Sequence, residues 1–77
     1  MALVKNFERY DLAREKVHGV VDCTFSSFTT DDGRRFFQID TYGSPTRRFR
    51  GKKSQTIQLD ETAARDLVRL LSAEFGF

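Results

Sequence analysis

Seventy-seven residues, 39% of them apolar and 31% charged, with a formal net charge of +2, describe one domain near the size at which a single core barely suffices. The lone Cys23 excludes an intrachain disulfide, and with only His18 beside it there is no His/Cys zinc set. No apolar run approaches the roughly 18–20 residues of a transmembrane helix. The N-terminal stretch MALVKNFERYDLAREK lacks the apolar core of a signal peptide, so the chain reads as cytoplasmic. Oligomerisation is the remaining stabilising device for so small a domain.

Residues 1–16 are read as an N-terminal arm or element, because Val4, Phe7 and Tyr10 suit a helix only weakly and a strand equally well. Residues 17–77 are read as one β-β-β-α domain. The first strand is expected over His18–Thr30, where Val21, Cys23 and Phe25 alternate on an inner side. Phe28 breaks that parity, which predicts a bulge near Ser26-Ser27 and leaves Cys23 as a small core residue. Asp31-Asp32-Gly33 is a hairpin turn, with Gly tolerating the positive φ that the turn needs.

The second strand, Arg34–Tyr42, sets Phe37, Ile39 and Thr41 on one face and Phe36, Gln38, Asp40 and Tyr42 on the other. Gly43-Ser44-Pro45 ends it. Ser54–Leu59 alternates as a third strand, with Ile57 and Leu59 inward and Thr56 and Gln58 outward. Asp60 is an N-cap for a helix over Glu61–Phe75, and Gly76 is its C′ residue. Ala64, Leu67, Val68, Leu71 and Phe75 form an apolar stripe that Ala63 and Leu70 widen. The fold class is therefore α+β, a curved antiparallel sheet followed by one amphipathic helix. One helix covers one sheet face, and the other face meets solvent, a partner or a ligand.

The charge is unevenly spread. Residues 33–60 hold seven basic groups against Asp40 and Asp60, whereas the flanking thirds are slightly acidic. Five of the seven lie in TRRFRGKK, as Arg47, Arg48, Arg50, Lys52 and Lys53, with Phe49 among them. Arg34 and Arg35 lead into the second strand. Such a run is either a solvated loop or a phosphate-binding patch. Likewise Phe36 and Tyr42 either pack under the N-terminal segment or a partner, or stack on unpaired bases. The helix mixes Arg65 and Arg69 with Glu61, Asp66 and Glu74, unlike the basic recognition helix of duplex readers.

No enzyme or cofactor motif is visible. His18 has no triad partner at a suggestive spacing, Asp31-Asp32 suit a turn, and Gly33, Gly43 and Gly51 match no phosphate loop.

The segments FFQIDTYGS (36–44), GKKSQTIQL (51–59) and ETAARDLVRLL (61–71) together resemble the core of the positive cofactor 4 group and the related Pur-type and Whirly domains. They also resemble short bacterial proteins with a QIDTYGS…GKKSQ pattern. The resemblance covers residues 34–72. It implies single-stranded DNA or RNA bound across curved sheets, and a homodimer paired through the C-terminal helix. It makes Arg50, Lys52 and Lys53 phosphate contacts and sets Phe36 and Tyr42 at outward strand positions. The chain departs from that group in its longer, arginine-rich loop and in lacking a Trp in the second strand.

Two readings remain. One is a single-strand binder in which Arg34, Arg35, Arg47, Arg48, Arg50, Lys52 and Lys53 neutralise phosphates while Phe36, Tyr42 and Phe49 stack. The other is a protein-interaction module that meets an acidic partner or accepts a strand at its sheet edge.

Overall fold

The computed structural model describes residues 1–43 and 53–77. In chain order the elements are β1 (Ala2–Val4), β2 (Cys23–Thr29), β3 (Arg35–Tyr42), β4 (Lys53–Asp60) and α1 (Glu61–Phe75). The fold is α+β, an open four-stranded sheet in the order β1-β4-β3-β2 with one C-terminal helix. The β2–β3 and β3–β4 pairs are antiparallel, but β1 runs parallel to β4, with Ala2 opposite Ile57 and Val4 opposite Leu59. The sheet is thus mixed rather than purely antiparallel. A parallel neighbour needs a long crossover. Here residues 5–22 supply it, passing from one edge of the sheet to the other without regular structure.

The β2–β3 hairpin follows its turn chemistry. The Gly33 N–H donates to the Thr30 carbonyl at 2.9 Å and the Thr30 N–H to the Arg34 carbonyl at 2.8 Å. Gly33 takes φ 87°, the left-handed position of a three-residue hairpin loop. The Thr30 hydroxyl also donates to the Asp32 carboxylate. The helix matches its expected bounds. The Asp60 carboxylate accepts from the Ala63 N–H at 2.8 Å, and Gly76 closes the other end at φ 73° with its N–H on the Ser72 carbonyl.

Directly opposed residues share a face, so the register defines two. One carries Cys23, Phe25, Ser27, Phe37, Ile39, Ile57 and Leu59; the other carries Thr24, Ser26, Phe28, Phe36, Gln38, Asp40, Thr56 and Gln58. α1 packs against β3 and β4; Leu59 on the first face, Phe36, Asp40 and Thr56 on the second, and Ala63 on the helix are buried.

Four details differ from the sequence expectation. β2 begins at Cys23 rather than His18, because residues 17–22 belong to the crossover. Its pairing with β3 is continuous, so there is no bulge at Ser26-Ser27; the irregularity falls at Thr41/Tyr42 against β4. Phe28 departs from the parity of Phe25 because each aromatic serves a different face. Cys23 is exposed, not a core residue, since it opens β2, an edge strand of the sheet. The apolar helix stripe is only partly covered: Ala64 and Leu67 are half-buried, but Val68, Leu70, Leu71 and Phe75 are exposed.

Gly33 has open space where a Cβ would sit, so a substitution there is felt through the backbone alone. Gly33→Ala should cost about 1–2 kcal/mol, measured by urea unfolding, with the folded spectrum unchanged.

Candidate nucleic-acid interface

The face that carries Gln38, Thr56 and Gln58 is organised by a carboxylate. Asp40, in the middle of the interior strand β3, is 4% exposed. It accepts from the Thr56 hydroxyl at 2.6 Å and from the Gln38 amide at 3.0 and 3.2 Å. Lys53 Nζ lies 3.4 Å from its other oxygen. The Gln58 amide donates to the Gln38 carbonyl at 2.8 Å, so the row of hydrogen bonds crosses from β4 to β3 and ends on Asp40. A buried charge persists only when its lone pairs are used, and these partners meet that condition.

The Asp40 carboxyl is held below the ordinary carboxylate range, chiefly by the Thr56 hydroxyl and then the Gln38 amide; Lys53 adds a hydrogen bond and its charge against the cost of burial. Asp60 is lowered in the same sense by Lys5, 2.6 Å away, and by the Ala63 N–H. Asp32 is lowered by the Thr30 hydroxyl.

Lys53 is the first residue of β4, opposite Tyr42 at the irregular end of the β3–β4 pair. That end is the root of the basic run. Arg47, Arg48, Phe49, Arg50 and Lys52 lie outside the described residues, so only Lys53 of that run has a described position. Tyr42 is half-buried, and its hydroxyl shares a hydrogen bond of 3.0 Å with Thr24 on β2. The other end of the face is formed by Arg34, whose guanidinium stands over the Phe36 ring at 5.0 Å.

Phe36 is not the open stacking platform that its outward parity implied. It is only 9% exposed, because Phe28 stacks on it with centroids 5.3 Å apart and Arg34 stands over it. Phe28 is the more exposed aromatic of that pair. Sequence reasoning missed it as a site residue because the supposed bulge removed it from the face. Its even spacing from Thr24 and Ser26, taken without a bulge, was the available signal. Arg35 points to the helix side, where its guanidinium donates to Glu61 at 3.0 and 3.2 Å. It lines an open groove of about 340 Å³ with Phe28, Phe36, Phe37, Leu59 and Ala64. Arg34 and Lys53 therefore share the network face, whereas Arg35 ties β3 to α1 through an exposed pair worth about 0–1 kcal/mol.

No protein-family model, no curated protein and no solved structure matches the chain. Among the described residues, no cluster of three or more His, Cys, Asp or Glu side chains could hold a metal ion, and no helix is long and apolar enough to cross a membrane.

A carboxyl whose pKa is lower folded than unfolded adds stability that is present above its unfolded pKa, about 3.9. That stability is lost as pH falls through the folded value. Chemical unfolding should show constant stability from pH 7 to about 5 and a decline below about 4. Asp40→Asn should lower stability at neutral pH and shrink the acid-side decline, since one of the responsible carboxylates is gone. An acid limb as steep as that of the unmodified protein would remove Asp40 from this role.

Proposed function

We propose that this chain binds single-stranded nucleic acid on the sheet face that carries Gln38, Thr56 and Gln58, as a homodimer whose copies meet on the exposed side of the helix. The observation that carries the reading is the layout of that face. Cations stand at both ends, Arg34 beside Phe36 and Lys53 at the root of the basic run, with β3 between them. Eight residues of β3 separate those ends by about 24 Å. Between them lie the amides of Gln38 and Gln58, the hydroxyls of Thr24 and Ser26, and the rings of Phe28 and Tyr42. Neutral hydrogen-bonding groups and aromatic faces suit unpaired bases, while cations follow the phosphates.

Burial of Phe36 revises the stacking set. Phe28 and Tyr42 take that role on the face, with Phe49 added from the basic run, and Phe36 supports Phe28 from below. Arg34, Arg47, Arg48, Arg50, Lys52 and Lys53 neutralise phosphates. Arg35 contributes less because Glu61 already engages it. Exposure of Val68, Leu71 and Phe75 on α1 supports pairing of copies there.

Fluorescence anisotropy with labelled single-stranded and duplex oligonucleotides at two salt concentrations tests the reading. Single strands should bind more tightly than duplex, and affinity should fall steeply with salt. Lys53→Ala should reduce the log–log salt slope by about 0.7. Phe49→Ala should cost about 1–3 kcal/mol of binding with the slope nearly unchanged. Absence of saturable binding at low salt ends the proposal.

A further inference from the structure

β2 is an edge strand of unusual composition. Native edges are blunted by charge, proline, bulges or short length. Cys23-Thr-Phe-Ser-Ser-Phe-Thr29 has no charge and no proline, and its seven residues stay in continuous register with β3. The Thr30 N–H bonds to the Arg34 carbonyl and the Tyr42 N–H to the Asp22 carbonyl. These bonds place the even-numbered residues of β2 in the hydrogen-bonded pairs with β3. The N–H and C=O groups of Cys23, Phe25, Ser27 and Thr29 consequently point away from the sheet. Among the described residues no backbone group bonds to that outer edge.

The chain also exposes more surface than it can use alone. Its accessible area is 7065 Å², against about 4,800 Å² for a compact chain of 8.9 kDa. That surplus exceeds the roughly 800 Å² that a standard interface takes from each partner. Among the described residues no large side chain is fully buried, and Phe25 on β2 is 75% exposed. Pairing through α1 would use one part of the surplus; the β2 edge is separate from it.

We infer that β2 pairs antiparallel with β2 of a second copy, about a two-fold axis through Ser26, joining two four-stranded sheets into one. A two-fold axis normal to the sheet must pair residues of the same face, so it passes through a residue and not between two. With the axis at Ser26, all seven residues of the strand pair. Phe25 then lies opposite Ser27 of the second copy, Phe28 opposite Thr24, and Cys23 opposite Thr29. Each bulky side chain meets a small one, and no charge is opposed. The outward groups fall into hydrogen-bonded pairs in this register, giving about eight new backbone bonds. An axis at Ser27 sets Cys23 against Asp31, and an axis at Phe25 sets Asp22 against Phe28; both leave part of the strand unpaired.

The register is readable by cross-linking. Ser26 faces its own symmetry mate in a non-hydrogen-bonded pair, with Cα atoms about 4.5 Å apart, a separation a disulfide spans. In a Cys23→Ser background, Ser26→Cys should oxidise to a covalent dimer with diamide, well ahead of Phe25→Cys or Ser27→Cys, whose mates lie diagonally about 7–8 Å away. Independently, Ser27→Pro removes an N–H that β3 does not use, a substitution an edge strand tolerates. It should at least halve the mass measured by light scattering. A single-chain mass for the unmodified protein overturns the inference. So does failure of Ser26→Cys to cross-link, which is the result expected if the edge takes a strand from a different protein or if copies meet only through α1.

Discussion

The Asp40 carboxylate governs one face of the sheet. A charge placed in the middle of an interior strand requires every neighbour to donate. Thr56, Gln38 and Lys53 do so from three directions, and Gln58 is oriented in turn because Gln38 has only its carbonyl left to offer. This arrangement makes that face polar, while the opposite face carries Phe25, Phe37, Ile39, Ile57 and Leu59. It also draws Lys53 back onto the sheet at the point where the basic run joins β4. The root of that run is therefore set by a buried acid, although the run itself contains none.

A second constraint is numerical. One fifteen-residue helix spans about 22 Å and cannot cover a sheet four strands wide at about 4.8 Å spacing along its full length. The cover is concentrated where β4 passes into α1, around Leu59 and Ala63. Phe25 on the far strand and Val68 and Phe75 on the helix are left in water. These exposed groups follow from the element count.

Elements with local causes were legible in the residues. The helix was readable to its ends, since Asp60, the apolar spacing and Gly76 are all local signals. The Asp31-Asp32-Gly33 turn and the alternation of β3 and β4 were similarly plain, and they correctly sorted Phe37 and Leu59 from Gln38 and Gln58. What depended on distant partners was not legible. Ala2–Val4 carries no alternation to identify it, and it becomes a strand only because β4 offers an open parallel edge. The exposure of Cys23 reflects an edge position that its own spacing could not reveal. Phe36 was placed on the correct face and misjudged in burial, because Phe28 and Arg34 converge on it only after the hairpin closes.

The parallel joining of β1 to β4 has a kinetic consequence. Ala2 sits against Ile57, 55 positions further along, so this contact closes a long loop, whereas the β2–β3 hairpin closes within a short stretch. High sequence separation of contacts slows folding, and loop-closure entropy must be offset before the distant pair contributes. During synthesis β1 leaves the ribosome ahead of β2, β3 and β4 and is the last of the four that can find its place, waiting until β4 has emerged. Until then β4 is itself an open edge, and the order of assembly leaves both margins of the β2-β3-β4 sheet available to strands of other chains. Capture of β4 by its own β1, three residues long, removes only one of those two margins.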